Sequence, residues 1–86
     1  MVRHRRGELD IFGDILGEAL KEVKFTHLIY RVNLSYSTLR KYLFAALDKG
    51  LICRVNNSDG SVVYSTTESG TLLLEKLNDV KILLHG

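Results

Sequence analysis

The stretch from Thr26 to Ile52, THLIYRVNLSYSTLRKYLFAALDKGLI, decides the fold. Leu28, Ile29 and Val32 share one side of a short helix over His27 to Val32, for which Thr26 carries a capping side chain. Asn33, a residue that tolerates the left-handed conformation, stops it. Only Asn33 and Leu34 then separate this helix from Ser35, whose hydroxyl can accept a backbone N–H and start the next one. Leu34 outside and Leu39 inside stand at the two positions of a hydrophobic staple, which fixes the angle of entry. Over Ser35 to Asp48, Leu39, Leu43, Ala46 and Leu47 form a buried stripe with Tyr42 at its flank. Ser37, Arg40, Lys41 and Phe44 point away from that stripe, and Gly50 ends the helix. The result is a pair of helices meeting at a tight turn, with cations on the outer side of the second.

Upstream, Glu8 to Val23 reads as an amphipathic helix. Leu9, Phe12, Ile15, Leu16, Ala19, Leu20 and Val23 lie on one stripe and Asp10, Asp14 and Glu18 lie opposite. Its early acids, with Lys21 and Lys24 near its end, complement the helix dipole. Downstream, Leu51 to Val55 and Val62 to Thr66 read as two strands around the turn-rich run Asn56 to Ser61, where Asp59-Gly60 signals a hairpin. A ribbon of two such strands is too small to stand alone and must pack on the helices. Thr67 caps a last helix over about Glu68 to His85. There Leu73, Leu77, Val80 and Leu84 recur at spacings of four, three and four, the heptad pattern of a helix that pairs with another. Leu72, Leu74, Ile82 and Leu83 lie beside this seam and exceed what one small domain covers.

Size and composition agree with this plan. Eighty-six residues, 45% hydrophobic and 26% charged, make one globular domain with a modest core and exclude a disordered chain or a membrane span. The basic start, Met1 to Arg6, runs into Gly7 to Asp10 where a signal peptide would need an apolar core, so a cytoplasmic location is expected. Cys53 stands alone and is expected to fill space as a small apolar side chain. With His4, His27 and His85 scattered, no metal-ligand spacing exists. No nucleophile and base pair, metal cluster or glycine-rich phosphate loop can be assembled, which argues against an enzyme and against a cofactor.

The formal charge of +2 hides a sorted pattern. Residues 1 to 6 carry +3 and residues 8 to 22 carry −4; residues 24 to 54 carry +5 and the remainder −2. Sorting of this kind gives a nearly neutral molecule one basic face, the electrostatic footprint of a polyanion binder.

Helix, short helix, tight turn, helix, β-ribbon and helix in sequence is the order α-α-α-β-β-α of a winged helix-turn-helix, a mostly α fold with a small β-hairpin. In that fold the third helix enters the DNA major groove and the ribbon, or wing, flanks it. The residues NLSYSTLRKYL, the GLI that opens the wing and the later YSTTESGTLLLEKL resemble small archaeal winged-helix DNA-binding proteins. They are similar in particular to the Sulfolobus ten-a group of chromatin-associated proteins. About two thirds of the chain carries the resemblance. It implies a homodimer joined by C-terminal helices in an antiparallel coiled coil, presenting two winged domains to duplex DNA, and a nucleoid-associated location. Residues 68 to 85 would span only about 27 Å, so the dimer arm here is short.

The expected organisation is a basic arm over 1–7, a winged DNA-binding domain over 8–66 and a dimerisation helix over 67–86. Arg40 and Lys41 are the leading DNA contacts because they leave the buried stripe on the groove-entering helix. Tyr36 and Ser37 lie at its N-terminus, where backbone N–H groups and the dipole favour a phosphate. Arg54, Asn57 and Ser58 in the wing are expected on the backbone or minor groove, and Arg5 and Arg6, with Arg3, in an arm that tracks phosphates. Phe44 is expected beneath the N-terminal segment or a dimer partner and is assigned no DNA role. The function expected is that of a dimeric archaeal transcriptional regulator. An architectural chromatin protein, or a winged module that binds an acidic protein and not DNA, are the competing readings.

Overall fold

The computed structural model describes residues 7–85, so the arm residues Arg3, Arg5 and Arg6 lie outside the described residues. The elements run α1 (Glu8–Glu18), α2 (Phe25–Val32), α3 (Tyr36–Asp48), β1 (Ile52–Asn56), β2 (Val62–Thr66) and α4 (Glu68–His85). This is the order α-α-α-β-β-α expected of a winged helix-turn-helix.

The tight turn between α2 and α3 is built as its residues require. Asn33 adopts φ 55° and ψ 51°, and its N–H bonds the Ile29 carbonyl. The Ser35 hydroxyl accepts the Thr38 N–H at 3.2 Å and donates to the Thr38 hydroxyl at 2.9 Å. At the far end of α3, Gly50 takes φ 73°; its N–H reaches the Leu47 carbonyl and that of Leu51 reaches Ala46. That pair of bonds is a Schellman closure, which needs a residue free to adopt positive φ.

Several boundaries and faces differ from the sequence expectation. Helix α1 stops at Glu18, five residues before Val23, because the chain downstream is recruited by the ribbon. Thr66 donates its N–H to the Ala19 carbonyl at 2.8 Å and its hydroxyl to the Leu16 carbonyl at 2.7 Å, satisfying acceptors that a helix end leaves open. Val23 then exchanges both backbone hydrogen bonds with Tyr64, an isolated bridge that sets a third segment of chain beside β2 of the ribbon. Lys21 and Lys24 therefore fall beyond the last turn of α1, and Leu9 and Leu20 are exposed, whereas Ile11 is buried.

Helix α2 begins at Phe25 with Lys24 as its N-cap, not with Thr26. The Phe25 ring packs edge-on against Tyr36 at 5.2 Å between centroids, which draws the start of α2 toward α3. Strand β1 runs one residue later than expected, with Ile52 opposite Thr66 and Asn56 opposite Val62. Leu51 is held in the α3 closure instead. Cys53 is exposed and fills no core space: the alternation of β1 places Ile52 inward, and Cys53 points to the other face.

The core lies where α1, α2, α3 and the ribbon converge. Ile15, Leu16, Leu28, Leu39 and Leu43 are its fully buried large side chains, each contributing about 1.5–3 kcal/mol by leaving water. Leu73 and Leu74 pack on this core from α4, while Leu72, Val80, Ile82, Leu83 and Leu84 stay exposed. The first half of α4 thus closes the domain and the second half carries an uncovered apolar surface.

Candidate nucleic-acid interface

Burying Leu39, Leu43 and Ala46 leaves the opposite face of α3 to solvent, and the sequence puts Tyr36, Ser37, Arg40, Lys41 and Phe44 there. Three of these side chains, Tyr36, Arg40 and Phe44, form an ordered row. The Arg40 Nη1 donates to the Tyr36 hydroxyl at 3.4 Å, and the Arg40 guanidinium lies 5.0 Å from the centre of the Phe44 ring. Tyr36, Arg40 and Phe44 are spaced four apart, so each sits one turn above the last. A cation over an aromatic face at an exposed site contributes about 0.5–1 kcal/mol, enough to bias an otherwise free rotamer. Phe44 is 47% exposed; the N-terminal segment expected over it lies outside the described residues.

Lys41 lies one position round the helix, its ammonium 5.6 Å from the Tyr42 ring, and Tyr42 in turn packs edge-on against Phe12 of α1. The Lys41 ammonium thus rests beside a ring that is itself packed on α1, and the residue remains exposed. No acidic partner within ion-pair distance of Arg40 or Lys41 occurs among the described residues, unlike Arg31, which bonds Glu18 at 3.2 Å, and Lys81, which lies 3.6 Å from Asp10. The start of α3 adds the backbone N–H groups near Tyr36 and Ser37 to this cationic face.

The wing joins α3 through Gly50 and Leu51. Arg54 is exposed at mid-strand, opposite Tyr64 in the register, and Ser58 is exposed in the turn. The Asn57 side-chain amide donates to the Ser61 hydroxyl at 3.0 Å, so the turn itself uses it. Asp59 accepts the Ser61 hydroxyl at 2.6 Å and the Ser61 N–H at 2.9 Å. These bonds hold its carboxyl below the ordinary carboxylate range, the hydroxyl bond first, with the charge of Lys24 adding to the effect. Sequence reading identified Asp59 only as a turn former; its acceptor geometry toward a serine two residues on was the available signal for an Asx turn.

The four heptad positions divide. Leu73 packs on the core and Leu77 lies over Gly13 of α1, whereas Val80 and Leu84 are 51% and 74% exposed. Leu9, Leu77, Val80 and Leu84, rimmed by Asp10 and Lys81, line a shallow groove of about 300 Å³ between α1 and α4.

A tight-turn helix pair with a cationic outer face, followed by a two-stranded wing, defines the winged helix-turn-helix class. Residues 5–85 match the winged helix-turn-helix family model, and the chain belongs to that family. A protein of Methanocaldococcus jannaschii described as uncharacterized is 40% identical over 65 residues, which is 76% of this chain. The match spans 28% of that relative's own length. Among solved structures, Sso10a-2, a DNA-binding protein from Sulfolobus solfataricus, superposes with a TM-score of 0.77 at 28% identity. The superposition covers 93% of this chain and 86% of that one. The reduced form of MarR from E. coli superposes with a TM-score of 0.65 at 18% identity, covering 80% of this chain and 51% of that one, a likeness of fold alone. No helix among the described residues is long and apolar enough to cross a membrane.

Proposed function

We propose that this protein binds double-stranded DNA as a dimeric archaeal transcriptional regulator, placing α3 in the major groove and the wing beside it. The observation that carries the reading is the face of α3 itself. Arg40 and Lys41 are exposed, have no acidic partner among the described residues, and stand on a helix whose other side is locked into the core. Likeness to a Sulfolobus DNA-binding protein over almost the whole of both chains supports it.

In this reading residues 8–66 form the DNA-binding domain. Tyr36 and Ser37 meet a phosphate at the start of α3, Lys41 a second one, and Arg54 and Ser58 the backbone beside the wing. Asn57 shapes the wing turn. Residues 67–86 join two copies through the exposed part of α4, where Val80, Leu84 and their apolar neighbours stay uncovered among the described residues. No catalytic step and no prosthetic group enters this function.

The test is a mobility-shift series with the full chain and a generic duplex at rising salt. Retention at about 50 mM salt that weakens steeply as salt rises is expected of phosphate contacts. No retention at that salt would overturn the reading in favour of a winged module that meets an acidic protein.

A further inference from the structure

We propose that Arg40 and Phe44 form a paired base-reading unit, selecting a guanine and the methyl group of a thymine one to two base pairs away. Tyr36 acts as the positioning residue that holds the arginine. The proposal rests on the reading that α3 enters the major groove, and adds to it which bases that helix chooses.

Two observations lead there. An exposed arginine ordinarily samples many rotamers, but Arg40 is held from both sides, by the Tyr36 hydroxyl at 3.4 Å and by the Phe44 ring at 5.0 Å. The planar fork is therefore oriented before any contact forms, which lowers the ordering cost of a bidentate hydrogen bond. In the major groove the matching pair of acceptors is the O6 and N7 edge of guanine. Phe44 is the second observation. It stands half-exposed on the polar side of α3, on the same face as Arg40 and with the guanidinium 5.0 Å from its ring, so an apolar surface sits beside the arginine. The one apolar group that the major groove offers is the thymine methyl, which phenylalanine is suited to contact.

The spacing joins the two. With about 3.4 Å between stacked base pairs, groups 5.0 Å apart reach bases one to two steps apart. Tyr36 is fixed in turn by Phe25, 5.2 Å away, so the orientation of the arginine is tied to α2 as well as to its own helix. Lys41, whose ammonium lies over Tyr42, is not part of this row.

The experiment is a selection of duplexes from a randomised pool by the full chain at fixed salt, followed by base analogues in the selected duplex. Enrichment of a guanine with a thymine one or two pairs from it is expected. Replacing that guanine by 7-deazaguanine, which lacks the N7 acceptor, should weaken wild-type binding about tenfold. Replacing the thymine by deoxyuridine, which lacks only the methyl, should weaken it severalfold. The analogue arms use unaltered protein and carry no folding ambiguity. Arg40→Ala should abolish the 7-deazaguanine effect, Phe44→Ala the deoxyuridine effect, and Tyr36→Phe, which keeps the ring on Phe25, should reduce the first and spare the second. Salt-sensitive binding with no base preference, or indifference of the wild type to both analogues, overturns this inference and leaves DNA binding standing. Failure to retain any duplex from the pool at about 50 mM salt overturns both.

Discussion

Gly70 is pressed against Leu51: a Cβ on Gly70 would collide with the Leu51 carbonyl oxygen and come within 2.7 Å of Thr66 Cγ2. The same carbonyl accepts the Thr67 N–H at 3.0 Å. The Thr67 hydroxyl donates to the Gly50 carbonyl at 2.6 Å and accepts the Gly70 N–H at 3.1 Å. The end of α3, the end of β2 and the first turn of α4 are thus clamped at one point. The direction in which α4 leaves the domain is set there, and with it the placement of any second copy bound through α4.

Gly70→Ala should therefore destabilise the domain although alanine is the better helix former. Helix propensity favours the substitution by about 1 kcal/mol, but the obstruction is backbone, which cannot swing aside, and overpacking costs about 1–3 kcal/mol or more. A fall in Tm of several degrees is expected by thermal unfolding. Gly17→Ala is the control, because nothing lies within 4 Å of its Cβ position; it should raise Tm. A neutral Gly70→Ala would mean that the clamp yields.

How much of this was legible depends on the range of the interaction. The turn from Asn33 to Ser35, the Gly50 closure and the Thr67 cap rest on bonds within a few residues, and sequence reading placed them correctly. The end of α1 depends on Thr66 and Tyr64, more than forty residues away, and periodicity alone carried that helix on to Val23. The cationic face of α3 was legible as the complement of its buried stripe. The Arg40 and Phe44 contact was not: the sequence marks Phe44 as an exception to a polar face, and nothing in its spacing alone says that the arginine one turn away lies over its ring.

Lys41 and Arg40 should separate in a salt titration. Lys41→Ala removes one phosphate contact and should reduce the slope of log affinity against log salt by about 0.9, uniformly across duplex sequences. Replacing Arg40 and Lys41 together should weaken binding further while the far-UV circular dichroism stays unchanged, since both side chains lie outside the core. An unchanged slope in the double variant would remove α3 from the interface.

Asp59 should give the wing a dependence on acid. Its carboxyl is held below its ordinary 3.8 by the two bonds from Ser61, so folding favours the ionised form. That contribution is complete above the unfolded value and disappears as pH falls through the lower folded one. The Asp59 carboxyl signal in NMR should titrate with a midpoint below 3.8, and the Ser61 amide signal should shift with it. Asp59→Asn, which keeps an acceptor oxygen, should remove the dependence and leave the turn formed. A midpoint at the ordinary value would show that the bonds are not maintained in solution.

The last prediction concerns α4, whose two halves answer to different demands. Leu73 and Leu77 lie against this chain's own core and α1, so charging them would test folding as much as association. Val80 and Leu84 lie further out, 51% and 74% exposed, and a carboxylate at either costs the isolated domain little. Facing a second copy, the same carboxylates would be buried without partners, which costs several kcal/mol per charge. Val80→Asp with Leu84→Asp should therefore give a monomer by sedimentation equilibrium, with thermal stability of the domain core retained. Loss of the second reading head should lower affinity for a site with two half-sites by at least tenfold while affinity for a single half-site is unchanged. A dimer that survives both charges would place the contact elsewhere, and the groove beside Leu9 would then need no partner of this kind.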